Sequence, residues 1–174
     1  DSVCRPVYFP AYDGNFSWVS GTGLQVEARF GAHGLNRQQE SEQLRTCILD
    51  RHPWKRSVIK DAHSRLVALR QEGHKNAKGI VFCPNIDEAK KTAEFFRSIA
   101  AHDQIVLVTS EEPDESKDEL EQFKKNRKMW IVSVNMVSEG VDIPDLRVGV
   151  YVTSVTAELY FYQAVGRLAR MQDN

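Results

Sequence analysis

Three side chains near the end of the chain are spaced to read an anion. Gln163, Arg167 and Arg170 stand in the octet Gln163-Ala164-Val165-Gly166-Arg167-Leu168-Ala169-Arg170. At about 100° per residue, a helix through this octet brings the three onto one face. A guanidinium keeps its charge and offers a planar fork of donors, so two of them beside an amide suit phosphate oxygens. Gly166 leaves room beside them for another backbone or a phosphate. The competing explanation is a basic helix end, where positive charge complements the C-terminal dipole.

Two upstream stretches change that balance. Gly79-Ile80-Val81-Phe82-Cys83-Pro84-Asn85 is an apolar strand running into a Pro-Asn turn. Ser133-Val134-Asn135-Met136-Val137-Ser138-Glu139-Gly140-Val141-Asp142-Ile143-Pro144 lies between two further apolar strands. In this order and spacing, the three blocks resemble motifs IV, V and VI of superfamily II helicases, over about Lys78 to Met171. The resemblance implies the second RecA-like (C-terminal) motor domain, a three-layer α/β/α fold with a mostly parallel sheet. It makes Arg167 and Arg170 fingers for the γ-phosphate of ATP, with Arg170 the nearer. Gln163 would orient the nucleotide and the attacking water. Gly140 and Gly166 would allow close approach to the nucleotide, and Asp142 would contact its ribose or a finger arginine. Ser133, Asn135 and Met136 match positions that touch the nucleic-acid backbone, and Asn85, Thr109 and Ser110 are candidates of the same kind. Small polar groups at strand ends suit phosphates without reading bases.

The resemblance also implies partners. ATP, with its Mg2+, would be held mainly by a first RecA-like domain of the same polypeptide, and DNA or RNA would cross the loops. No G-x-x-x-x-G-K-[ST] phosphate cradle and no magnesium-binding acidic box occur in the 174 residues, so the isolated chain is expected to be inactive. Residues 1–77 have no sharp motif. They resemble the segment joining the motor domains in type III restriction (Res subunit) helicases, which makes DNA the favoured substrate. A double-strand translocase of a restriction system would carry the same motifs. A flavodoxin-like binding module shares the strand–helix alternation but has no need of the paired arginines.

Composition sets outer limits. Hydrophobic residues make up 41% and charged residues 27%, the balance of a globular domain. A net charge of −1 gives no bulk attraction to nucleic acid, so any such contact must be local. Cys4, Cys47 and Cys83 form no C-x-x-C pair, and the five histidines are scattered, so no metal site is expected. No apolar run is long enough to span a membrane and no signal peptide opens the chain, which makes the cytoplasm the expected compartment. Asp1 and Asn174 suggest a piece of a longer polypeptide.

The elements that must position these residues follow from periodicity. Ile80–Cys83, Ile105–Val108, Met129–Val134 and Val148–Val152 are continuous apolar runs, the pattern of parallel strands covered on both faces. Helices are expected between them: Ile86 to Ala100 with an apolar stripe, Asp114 to Lys125 with Leu120 and Phe123 inward, and Thr156 to Leu168 carrying the octet. Residues 78–174 would form the motor domain and residues 1–77 an extension packed on it. In the extension, Val7–Phe9 and Phe16–Val19 are candidate strands, and Arg37–Leu49 and Lys55–Gln71 candidate helices separated at Pro53. Lys55, Arg56, Lys60, Arg65, Arg70, Lys75 and Lys78 are expected on a solvated face. Asp87-Glu88 echoes a magnesium-binding box, but acids opening a helix are its simpler explanation. Glu111–Glu115 is expected to be an exposed acidic loop.

Overall fold

The computed structural model describes residues 4–49, 53–101, 104–109, 113–134, 143, 145–153 and 158–170, with the side chains of 113–117 outside that description. Among these residues, six strands and five helices follow in order: β1 (Asn15–Val19), β2 (Gln25–Arg29), α1 (Arg37–Cys47), α2 (Pro53–Gln71), β3 (Lys78–Cys83), α3 (Ile86–Ile99), β4 (Ile105–Val108), α4 (Pro113–Lys125), β5 (Trp130–Val134), β6 (Leu146–Tyr151) and α5 (Glu158–Ala169).

The four apolar runs pair as one parallel sheet in the order β4-β5-β3-β6. Because alternate side chains point to opposite faces, each run feeds two cores. Val81, Cys83, Trp130, Val132 and Val150 pack under α2 and α3. Ile80, Phe82, Val106, Ile131 and Leu146 pack with Leu120 and Phe123 of α4 and Ala164 of α5. This is the α/β/α arrangement that the continuous runs predict. Two glycines let the layers close. A side chain at Gly79 would collide with the Trp130 ring, and one at Gly149 would lie 2.5 Å from Leu168 Cδ1.

The N-terminal module is a hairpin, β1 paired antiparallel with β2, packed on α1. Asn36 caps α1 with a capping box to Gln39, which satisfies donors left open at a helix start. Polar side chains join helix to hairpin. Gln43 Nε2 donates to the carbonyls of Ala28 and Arg29, and Glu42 accepts from Trp18 Nε1 and the Gly21 amide. Trp54, on α2, meets Tyr12, Phe16 and Phe30 with ring centroids 5.4–6.3 Å apart and seats the module on the sheet domain.

Several expectations change. Two helices do separate near Pro53, as expected, but the proline belongs to the second of them. It occupies the first position of α2, where a missing N–H costs nothing. Through Val58, Ile59, Ala62 and Leu66, α2 packs into the core on one face of the sheet. Among the described residues, Val7–Phe9 joins no strand.

The basic run is not a uniform solvated face. Lys55 is fully buried, and its Nζ donates to Glu88 Oε2 at 2.9 Å. Glu88 therefore does more than complement a dipole. Lys78 is buried, donates to the Lys124 carbonyl and lies over the Phe123 ring. Arg70 donates to the carbonyls of Ala77, Arg127 and Lys128, tying the end of α2 to the starts of β3 and β5. Arg56, Lys60, Arg65 and Lys75 are exposed.

Candidate functional site

Parallel pairing fixes where the chemistry gathers. Val108, Ser133, Phe82 and Tyr151 form one row across the sheet. The chain leaves each strand within a residue or two of this row, always at the same edge. Thr109 follows β4, Asn85 follows β3, and α5 begins a few residues after β6. Loops at the carboxyl ends of parallel strands are where α/β folds bind ligands.

At this edge Asn85 is exposed, with extended backbone, and its Oδ1 accepts from the Glu88 amide at 2.9 Å. It is therefore the N-cap of α3, with its carboxamide oxygen engaged. Thr109 is half-buried. Ser133 is 1% exposed, inside the sheet, with its hydroxyl 3.4 Å from the Val134 carbonyl. That burial removes it from the surface expected for a backbone contact. Ser110, Asn135, Met136, Gly140 and Asp142 lie outside the described residues.

The octet lies on α5 and just beyond it. Ala164 is buried and Leu168 packs into the core, while Gln163 and Arg167 are half-buried and Gly166 is exposed. A side chain at Gly166 would meet nothing within 4 Å, so this stretch of helix keeps the open approach an anion needs. The helix ends at Ala169, one residue short of the span that would put all three octet side chains on a single helical face. Arg170 instead forms an antiparallel bridge with Cys4.

That bridge belongs to a feature with no sequence signal. Arg5 N–H donates to the Ala169 carbonyl at 2.7 Å. Its guanidinium donates from Nη2 to the Arg170 carbonyl at 2.5 Å and from Nη1 to the Leu146 carbonyl at 3.2 Å. Burial and nearby Arg147 lower the Arg5 pKa, against an opposing pull from Asp145. Asp145 itself has φ 66, a left-handed turn that directs the chain into β6.

A second unforeseen feature is aromatic. Phe82, Tyr151, Phe161 and Phe9 follow one another at centroid distances of 5.7–6.0 Å. Leu159, Tyr160, Phe161 and Tyr162 are all exposed on the first turns of α5. Four consecutive large apolar residues cannot all face a core from one helix, and that run was the available signal.

Among the described residues, no group of three or more His, Cys, Asp or Glu is placed to hold a metal ion, and no helix is long and apolar enough to cross a membrane.

The helicase conserved C-terminal domain model matches residues 58–172. The chain belongs to that family, in superfamily II. A relative in Mycobacterium tuberculosis (strain ATCC 25618 / H37Rv), "Uncharacterized protein Rv2917", is 36% identical over 98% of this chain and 28% of its own length. "DNA 3'-5' translocase XPB2" of Sulfurisphaera tokodaii is 25% identical over 90% of this chain and 35% of its own length. The chain thus spans roughly a third or less of these relatives. The solved structure titled "Mss116p DEAD-box helicase domain 2 bound to an RNA duplex" aligns at TM-score 0.55 and 16% identity, covering 68% of this chain and 47% of the other. This likeness concerns the fold, which is the RecA-like α/β arrangement.

Proposed function

We propose that the chain is the second motor lobe of an ATP-dependent DNA translocase or helicase, supplying cations to a nucleotide held by a companion lobe. The observation that carries this reading is the common edge: every strand of the parallel sheet opens toward it, and the octet helix follows the edge strand β6. Arg167 and Arg170 would meet phosphate oxygens, Gln163 would orient the nucleotide and water, and Gly140 and Asp142 would line the same cleft. Gly166 would let the phosphates approach. Phosphoryl transfer rests on positioning and charge neutralisation, so arginines arriving from a second lobe couple hydrolysis to lobe closure. ATP supplies the anhydride whose cleavage drives that motion.

Asn85, Thr109, Ser110, Asn135 and Met136 would meet the nucleic-acid backbone. The exposed aromatic turn of α5 supports a covering lobe of the same polypeptide, since contiguous apolar patches mark interfaces. DNA, and movement along it, is favoured by the name of the archaeal relative. The restriction-type resemblance belongs to this same reading, as translocation without strand separation.

The test is nucleic-acid-stimulated ATP hydrolysis by the full-length polypeptide. Arg170→Ala and Arg167→Ala should each lower kcat about 10³-fold or more while nucleotide binding persists. Unchanged kcat in both variants would reject the proposal. Strand-displacement and duplex-translocation assays on the same protein separate its two forms. The isolated chain is expected to show no turnover.

A further inference from the structure

Residues 4–12 form a strap across the octet helix and the edge of the sheet. Arg5 sits at the carboxyl end of α5, bound to the Ala169 and Arg170 carbonyls. Phe9 lies 6.0 Å from Phe161 near the start of the same helix. Four extended residues span about 13 Å, and the eight residues from Phe161 to Ala169 rise about 12 Å. The strap therefore runs antiparallel to α5 along its length, and Tyr12 then reaches Trp54 on α2.

The chemistry of the anchor is specific. The last carbonyls of a helix have no partner within the helix, and a cation there also complements the dipole. Arg5 supplies both, and its second nitrogen holds the Leu146 carbonyl at the start of β6. One planar fork thus fixes the backbone of Arg170 relative to β6, the strand that follows Gly140 to Pro144 in the sequence. Lysine, with a single nitrogen, lacks that fixed fork geometry. Arg5 also lies well outside residues 58–172, where the family match falls.

We infer that Arg5 is a positioning residue for Arg170: it sets the backbone from which that side chain reaches the phosphate, and so links the N-terminal module to the hydrolysis step. This rests on the reading of Arg170 given above. Small misplacements of a catalytic group lower rates steeply, about a hundredfold for an ångström. Losing the fork should therefore reduce kcat more than nucleotide binding.

The experiment compares the full-length wild type, Arg5→Ala, Arg5→Lys, Arg170→Ala and the Arg5→Ala/Arg170→Ala double variant. Three quantities are measured: kcat and KM for ATP, melting temperature, and amide hydrogen exchange in peptides covering residues 164–170. Arg5→Ala should lower kcat about tenfold or more, leave KM within a factor of about two, and speed exchange locally without a matching fall in melting temperature. Arg5→Lys should recover part of the loss. In the Arg170→Ala background, Arg5→Ala should change kcat less than twofold, because its effect passes through the missing side chain. An equal loss in both backgrounds, or a loss that tracks melting, would show a merely structural role and overturn the inference. If Arg170→Ala alone leaves kcat intact, the reading of Arg170 falls first and takes this one with it. If Arg170→Ala is damaging and Arg5→Ala is not, only the strap inference falls.

Discussion

Lys55 Nζ and Glu88 Oε2 lie 2.9 Å apart inside the protein, with Lys55 fully buried. The pair joins α2 to the first turn of α3, directly behind the Asn85 cap. A buried pair gains little over a well-packed apolar pair, but removing Lys55 takes the close cation from a buried carboxylate whose other oxygen lies 3.8 Å from Lys91 Nζ. Lys55→Met should therefore destabilise by about 3–5 kcal/mol, measured by chemical denaturation. Lys55→Met/Glu88→Leu should be clearly more stable than Lys55→Met alone. Equal stability of the single and double variants would mean that Lys91, 3.8 Å from Glu88 Oε1, carries the carboxylate without Lys55.

Gly79 shows how closely β3 and β5 pack. Any β-carbon there enters the space of the Trp130 ring, which is fully buried and has no room to retreat. Gly79→Ala should cost about 1–3 kcal/mol by overpacking, although alanine is the better residue for backbone entropy. Gly166→Ala, where the added methyl meets open space, should be neutral or slightly stabilising inside a helix. Its effect should appear in nucleotide affinity instead, if a phosphate uses that space.

His63 Nδ1 accepts from Trp130 Nε1 at 3.2 Å, an interaction that requires the neutral ring. Burial holds its pKa below the ordinary value. The folded state then binds the proton less readily than the unfolded chain. Stability from this group is complete above about pH 6.5 and declines as pH falls from there toward the lower folded value. Melting temperature should drop as pH falls below about 6.5, and drop less in His63→Gln. Parallel curves for the two proteins would mean that His63 does not titrate differently on folding.

The three thiols differ in the same physical way. Cys4 is exposed, whereas burial pushes Cys83 up to about 11 and Cys47 up to about 12. Only the thiolate is nucleophilic. One thiol should react with a charged disulfide reagent in the native protein, and the other two only on unfolding. Cys4→Ser should abolish the native reaction. Native labelling of Cys83 would mean that the core under α3 opens readily.

The sheet was legible because strands covered on both faces write their burial directly into continuous apolar runs. Ile105–Val108 was matched residue for residue, and Leu120 and Phe123 turn inward as their spacing implies. Lys55, Lys78 and Arg70 were not legible. Their partners, Glu88, Lys124 and Arg127, lie 33 to 57 residues away, and a charge run carries no sign of which long side chains will turn inward. Arg5 is the extreme case, since it meets Arg170 across 165 residues. The octet itself is legible as a motif, but its geometry is not: a helix run through all eight residues would carry Arg170, and the chain leaves the helix one residue earlier to bridge Cys4.

Asn85 separates two roles that share one side chain. Its Oδ1 caps α3 by accepting from the Glu88 amide, so the amide nitrogen is the group proposed to meet a phosphate. Aspartate caps a helix as well as asparagine does, but it replaces that donor with a carboxylate oxygen. Asn85→Asp should therefore keep the melting temperature of the wild type while weakening nucleic-acid binding several-fold at low salt. The loss should be the same for unrelated sequences, because phosphate contacts carry no base information. Asn85→Ala should lower both, with the cap worth about 1 kcal/mol. Wild-type affinity in Asn85→Asp would confine this residue to the cap and move the nucleic-acid path away from β3.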